Sequence, residues 1–202
     1  VERMMRDCRI NMILEGSTEI MKLFLAREAM DPHLKRSLPL MKKSSFSEKL
    51  KEGWGVFKYY AKWYPSLFFK TRKRHEGLGK LEKHFQYIDQ TSSKLARTIF
   101  YYMAKYQQKL EKKQLILGRL MEIGTELFVM AATCSYAISI KDKEHIDTPL
   151  DLADFFCVHG RRLIEERFDQ LEDNMDNYST TIAKEVLDDK YVWLEDKIIK
   201  DF

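Results

Sequence analysis

The sequence has little of what interrupts helices or builds cross-linked folds. Its 202 residues include 8 Gly and 4 Pro, and no segment alternates apolar and polar residues over the length of a strand. The three cysteines are widely spaced and form no CxxC pair, which argues against a disulfide framework and favours a reducing compartment. No signal-peptide pattern opens the chain, and we expect no apolar run long enough to span a membrane. These absences, with 45% hydrophobic residues, predict an all-α protein.

Patterns for metal or phosphate binding are also missing. A di-iron helical bundle needs Glu-x-x-His on two helices, but Leu81 stands three residues before His84 and Phe156 stands three before His159. Asp142 precedes His145 at that spacing, in a predicted loop. No glycine-rich loop lies between a strand and a helix. We therefore expect no metal site and no phosphate-binding loop.

Residues 80–202 carry four helical patterns with short breaks between them. The apolar seam of the first comprises Leu81, Phe85, Ile88, Ser92, Leu95, Ile99, Tyr102 and Tyr106. A second helix is predicted over 111–140, a third begins at Pro149 with Thr148 as its cap, and a fourth follows a break at 174–179. Such helices joined by short loops predict an up-and-down four-helix bundle.

Residues 35–79 are predicted to be a linker with one amphipathic helix. Its apolar stripe comprises Leu50, Trp54, Phe57, Ala61 and Tyr64. Residues 35–74 contain twelve basic residues but only two acidic ones, Glu48 and Glu52. Three interpretations are open: a solvated helix packed on the protein, a membrane-surface element attracted to anionic lipid, or a nucleic-acid surface. No recognition motif accompanies the charge, so we expect no nucleic acid among the partners.

The stretch from Arg6 to Met21 is where the sequence sets up chemistry. Residues 10–14 are nearly apolar and are followed at once by Glu15 and Gly16. A carboxylate in apolar surroundings has a raised pKa and is a better proton acceptor, as a general base requires. The alternative on composition alone is an ordinary corner between two helices. The next helix is predicted over 18–30, ended by Asp31 and Pro32.

The pattern Arg-Asp-x-Arg-Ile-x-x-Ile-x-Glu-Gly-Ser-x-Glu-Ile over residues 6–20 closely resembles the flavin end of acyl-CoA dehydrogenases. That resemblance implies that Glu15 is the base that removes the α-proton of an acyl thioester. It also implies that Leu14 and Gly16 line the substrate and that Ser17, Thr18 and Glu19 meet FAD. Leu14 stands where many members have Tyr or Phe, and Ser17 replaces the commoner Thr.

Residues 80–202 resemble the extra C-terminal domain of the very-long-chain subgroup of that family. The two resemblances imply three regions: the end of the catalytic α domain (1–34), the basic and aromatic linker (35–79) and the helical bundle (80–202). They imply a C-terminal piece of a longer enzyme, inactive alone, whose upstream domains complete the flavin pocket. They further imply an electron-transfer flavoprotein as electron acceptor, a homodimer and membrane contact through 35–74.

The same resemblance places the parent enzyme in the cytoplasm, membrane-associated in a bacterium, or on the matrix side of a mitochondrion. The rival interpretation is a non-catalytic helical module for assembly or membrane docking, in which Glu15 is only structural.

Overall fold

The computed structural model describes residues 1–14, 16–41, 46–68 and 77–197. The helices are α1 (Glu2–Asn11), α2 (Thr18–Met41), α3 (Phe46–Ser66), α4 (Glu82–Tyr106), α5 (Gln114–Glu144), α6 (Thr148–Asp169) and α7 (Asp176–Leu187). Short 3-10 segments lie at Gly79–Leu81, Gln107–Lys112 and Val192–Lys197. The described residues contain no strand. The all-α prediction is confirmed.

Helix α5 is the centre of the fold. It packs on α6 most extensively and also on α2 and α4. Its buried side chains include Leu120, Ile123, Met130 and Cys134, which lie against Ile164 and Cys157 of α6 in the same core cluster. By length and composition α5 could cross a membrane, so the expectation of no such run does not hold for it. In the described fold, 28% of that apolar window is buried.

The ends of α5 and α6 follow from local backbone chemistry. His145 caps α5 in the left-handed conformation with φ of 53°, and its N–H donates to the carbonyl oxygen of Lys141 at 2.8 Å. Pro149 lies in the first turn of α6, where its missing N–H costs no hydrogen bond. Asp147 rather than Thr148 occupies the capping position. The predicted helix start is therefore right within one residue.

Helix α2 runs further than the sequence predicts. It continues through Asp31 and Pro32 to Met41, so the predicted end before the proline is wrong. His33, the next residue, stacks on Tyr60 and lies edge-on to Trp63. Its Nδ1 is also 2.9 Å from the Tyr60 hydroxyl oxygen. Pro32 has no backbone N–H, so this turn of α2 lacks one hydrogen-bond donor. The contacts of His33 with α3 stabilise the turn.

The fourth helix of the bundle is α2, which packs on α5. Ala26 of α2 is buried in the core, with Leu23 and Met30 packed beside it. Helix α7, predicted to complete the bundle, contains no buried residue. It is tied to α5 through a two-point ion pair between Arg119 and Asp176, at 2.7 and 2.6 Å. Helix α2, which follows the predicted base motif, is therefore built into the bundle.

Candidate functional site

The loop between α1 and α2 carries the residues predicted to do chemistry. Gly16 has a φ of +120°, a conformation that side chains rarely adopt. A Cβ atom there would lie 3.0 Å from the Met21 sulfur. The N–H of Thr18 donates to the carbonyl oxygen of Met12 at 3.4 Å. Both the backbone angle and the close methionine explain why glycine follows the carboxylate position.

The predicted site residues lie at one corner. Glu15 lies outside the described residues. Leu14 is exposed, Ser17 and Thr18 are half-buried, and Glu19 is exposed in the first turn of α2. Helix α1 also buries no residue. Ile13 and Leu14, the apolar residues that precede the carboxylate position in the sequence, are both exposed.

A pocket of about 440 Å³ opens beside this corner. One wall comes from the loop and α2, and the others come from α5 and α6. Its lining residues are Asn11, Gly16, Thr18, Met21, Lys22, Leu25, Glu122, Ile123, Thr125, Glu126, Leu163, Ile164 and Arg167. The loop thus faces a cleft whose far side belongs to the bundle.

Glu122 joins three helices at the pocket. Its Oε1 accepts a hydrogen bond from Lys22 Nζ of α2 at 2.6 Å, and its Oε2 lies 2.5 Å from Arg167 Nε of α6. Burial alone would raise the pKa of Glu122, but the Lys22 ammonium and the Arg167 guanidinium hold that pKa below its ordinary value. Glu122 is therefore a carboxylate that accepts from both cations.

Sequence reasoning missed this cluster. Lys22 and Glu122 are 100 residues apart, and each stands in a charged surface pattern that is common on helices. No signal in one sequence pairs them. The two residues meet only because α2 packs against α5 in the folded chain.

A second polar cluster lies between α4 and α6. The fully buried His84 has its Nε2 2.8 Å from Asp154 Oδ1, and Lys83 Nζ approaches the same oxygen at 2.7 Å. Burial lowers the pKa of His84, while the hydrogen bond with Asp154 acts in the opposite direction. Its Nδ1 is buried without a hydrogen-bond partner among the described residues. Within those same ranges, no three His, Cys, Asp or Glu side chains gather as metal ligands.

Helix α3 presents its predicted apolar stripe to the outside. Leu50, Trp54 and Phe57 are 68%, 69% and 62% exposed. The opposite face packs inward, with Tyr60 and Trp63 around Phe100 of α4. Exposed lysines flank the stripe at Lys51, Lys58 and Lys62. The helix is thus anchored by one aromatic face and leaves a second apolar face uncovered by the described residues.

The matching family model and the similar proteins agree with each other. The family model described as "ACAD9/ACADV, C-terminal domain" matches residues 79–192. The chain is 40% identical over 205 aligned residues to proteins named "Probable acyl-CoA dehydrogenase FadE10" from Mycobacterium bovis and Mycobacterium tuberculosis. The alignment covers 98% of this chain and 32% of those proteins, so the chain spans about a third of their length. No solved structure matches it.

Proposed function

This chain belongs to the acyl-CoA dehydrogenase family, and from that membership we propose that it is the C-terminal part of an FAD-dependent enzyme. The reaction is the α,β-dehydrogenation of an acyl-CoA to a trans-2-enoyl-CoA, as in fatty acid β-oxidation. Long-chain acyl-CoA is the proposed substrate class, because the matching domain occurs in the subgroup that residues 80–202 resemble. The observation that carries the proposal is the base motif at residues 6–20 joined to that domain in one chain.

In this proposal Glu15 removes the α-proton of the thioester. Leu14 and Gly16 flank the acyl group, and glycine allows the substrate to approach the backbone closely. The exposed apolar side chains of Ile13 and Leu14 form an apolar wall of the site once upstream domains cover them. Exclusion of water there raises the pKa of the carboxyl group and strengthens it as a base.

The start of α2 fits a cofactor with polar and anionic groups. The hydroxyl groups of Ser17 and Thr18 form no side-chain hydrogen bond with any described residue, and both are only half-buried. The first N–H groups of a helix also lack partners within the helix and favour negative charge. Glu19 offers an acceptor for hydroxyl or N–H groups. These residues would hold FAD, which would supply the hydride acceptor for the β-hydrogen.

The bundle contributes the support of this site. Lys22 follows the motif directly, and its ammonium group is bound by Glu122 of α5. The helix after the base is therefore fixed to the core by an ion pair as well as by buried Ala26. A site on such a rigid element keeps its groups in register better than one on a free loop.

Substitution of Glu15 by Gln in the full-length enzyme tests the proposal. Palmitoyl-CoA oxidation with an artificial electron acceptor should fall at least about a thousandfold, while FAD absorbance and melting temperature stay unchanged. Glu28→Gln is the matched control, since it removes an exposed carboxylate of α2 that has no role in the proposed site. Undiminished turnover of the Glu15 variant would refute the base role.

The isolated chain should be inactive and should lose flavin on gel filtration, because the proposed pocket is completed by residues outside it. In the cell we propose an electron-transfer flavoprotein as acceptor and a homodimer as the working assembly. We propose a cytoplasmic enzyme, membrane-associated in a bacterium, or one on the matrix side in a mitochondrion.

A second function, membrane docking, is favoured by the exposed face of α3. Trp54 and Phe57 offer interfacial anchors, and neighbouring lysines add about 1 kcal/mol each near an anionic surface. The chain should co-sediment with vesicles containing phosphatidylserine and not with neutral ones. Lys51→Glu with Lys58→Glu should abolish this. Equal binding to both vesicle types would exclude the electrostatic mechanism. Vesicle binding by the chain together with no turnover by the full-length enzyme would support the alternative, a non-catalytic module for membrane docking.

A further inference from the structure

Two buried thiols meet across the contact between α5 and α6. The sulfur atoms of Cys134 and Cys157 are 3.3 Å apart, and both side chains are 0% exposed. The sulfur atoms of a disulfide are about 2.0 Å apart. Bond formation therefore needs a movement of little more than 1 Å, within reach of small side-chain rotations.

The helices around the pair pack closely because small residues line the contact. Ala137, Ala153 and Gly160 are buried along the same two helix faces as the cysteines. A disulfide requires Cα atoms no more than about 6.8 Å apart and Cβ atoms that face each other. Small buried side chains on both helices favour such a close approach.

We propose that Cys134 and Cys157 form an oxidation site that closes to a disulfide when the protein meets a peroxide. One thiolate attacks a peroxide oxygen and breaks the O–O bond, leaving a sulfenic acid and hydroxide. The second thiol then attacks that sulfur and displaces the hydroxyl group. For hydrogen peroxide, both S–H bonds and the O–O bond break, one S–S bond forms, and two water molecules leave.

The two thiols influence each other through their contact. The hydrogen bond between the thiols lowers the pKa of Cys134 and raises that of Cys157, and burial raises the latter further. Asp154, on the same face of α6, raises both pKa values through its charge. Because both sulfur atoms are fully buried and each is the hydrogen-bond partner of the other, either thiol can make the first attack and the other then acts as the resolving thiol.

The pair has no direct access to solvent, since both cysteines are 0% exposed. Glu126, whose charge acts on Cys157, also lines the pocket beside α2. Peroxide is only slightly larger than water and needs small openings of the packing to pass. Cys8, in contrast, is fully accessible and has no neighbouring thiol. We therefore expect the buried pair to react more slowly than Cys8 but to give a specific product.

The test is peptide mapping of the full chain after treatment with hydrogen peroxide under native conditions. Free thiols are blocked with N-ethylmaleimide in denaturant, and the protein is digested with trypsin. Cleavage at Lys141 and Lys143 separates the two cysteines, so the linked peptides report the bond directly. Oxidation of Cys8 in the same sample shows that the oxidant was effective. Dithiothreitol should restore both thiols.

Variants sharpen the assignment. Cys157→Ser and Cys134→Ser should each leave a sulfenic acid on the remaining cysteine of the pair that dimedone traps. The bond closes a loop between residues 23 apart, so the linked protein should melt roughly 5–10 °C higher. That rise should vanish on reduction.

Three results would overturn the proposal. Both thiols could stay fully alkylated while Cys8 is oxidised. The linked peptides could arise only when peroxide is added in denaturant. A lower melting temperature after linkage would show that the bond forms only in a distorted state.

Discussion

Lys22 of α2 and Glu122 of α5 form an ion pair with 2.6 Å between Nζ and Oε1, although 100 residues separate them in the chain. The pair connects the helix that follows the base motif to the central helix of the bundle. Arg167 of α6 binds the other carboxylate oxygen. One glutamate thus determines how the corner and the bundle meet.

Substitution of Glu122 by Gln should destabilise the protein by about 1–2 kcal/mol. The change leaves two cations facing each other and removes hydrogen bonds to charged donors, with some discount because the groups are about a third exposed. Urea unfolding measures the loss. Glu165→Gln, an exposed carboxylate on α6, is the control and should change stability by less than about 0.5 kcal/mol. Equal effects of the two variants would contradict a stabilising role for the cluster of Lys22, Glu122 and Arg167.

The two-point ion pair between Arg119 and Asp176 predicts a local effect. It holds the first turn of α7, a helix with no buried residue. The Arg119 guanidinium keeps the pKa of Asp176 below its ordinary value. Asp176→Asn should increase amide hydrogen exchange across 176–187 roughly tenfold, which corresponds to about 1.4 kcal/mol of local stability. Protection in α5 and α6 should not change.

Asp188→Asn, just beyond the end of α7, is the matched control for that experiment. It should leave exchange in the helix as it was. If Asp176→Asn instead loosens all helices equally, then α7 is part of the cooperative core and not a tethered segment.

His84 makes stability depend on pH. Burial lowers the pKa of its imidazole in the folded state, so the fold favours the neutral form, whereas the unfolded chain takes up a proton near pH 6.5. The contribution of neutral His84 to the free energy of unfolding is therefore complete above about pH 6.5. It is lost as pH falls from there toward the pKa of His84 in the folded state. His33, whose pKa is also lowered by burial, acts in the same direction.

Urea unfolding at pH 7.5, 6.5 and 5.5 measures this dependence. The free energy of unfolding should fall with a slope of up to about 1.4 kcal/mol per pH unit for each histidine. His84→Asn should reduce the slope, whatever its effect at pH 7.5. An unchanged slope in that variant would show that His84 takes up its proton equally in both states.

The sequence predicted those parts of the fold that depend on local chemistry. Pro149 marks the start of α6, and the apolar spacing of residues 115–131 marks the long central helix. In the predicted seam of α4 Ser92 is exposed, and three residues that the seam left out are buried, namely His84, Thr91 and Ser93. These features depend on neighbours within a few turns, and their spacing is visible in the chain.

The sequence could not predict features that depend on distant partners. Pro32 indicates a helix end unless His33 can stack on Tyr60, which is 27 residues away. The stripe with Trp54 predicted a face, but not that this face would be exposed while Trp63 packs inward. The pairing of Lys22 with Glu122 also needed the folded chain. The motif of the candidate site could be predicted from the sequence, but the contacts that join it to the bundle could not.

Two glycines should respond to alanine in opposite directions. A Cβ atom at Gly160 of α6 would lie 2.6 Å from Glu126 Oε1 and 3.1 Å from the sulfur of Met130. Glu126 can rotate away, but Met130 is fully buried, so the helices must separate slightly. At Gly118 of α5 a Cβ atom would meet nothing within 4 Å, and alanine there only gains helix propensity.

Gly160→Ala should therefore lower the free energy of unfolding by about 1–2 kcal/mol, because overpacking outweighs the gain in helix propensity. Gly118→Ala should raise it by about 0.5–1 kcal/mol. Both are measured by urea unfolding at pH 7.5, above the range in which His84 and His33 make stability depend on pH. Stabilisation by both substitutions would mean that α5 and α6 tolerate a wider spacing, and the close approach of the two helices would lose its support.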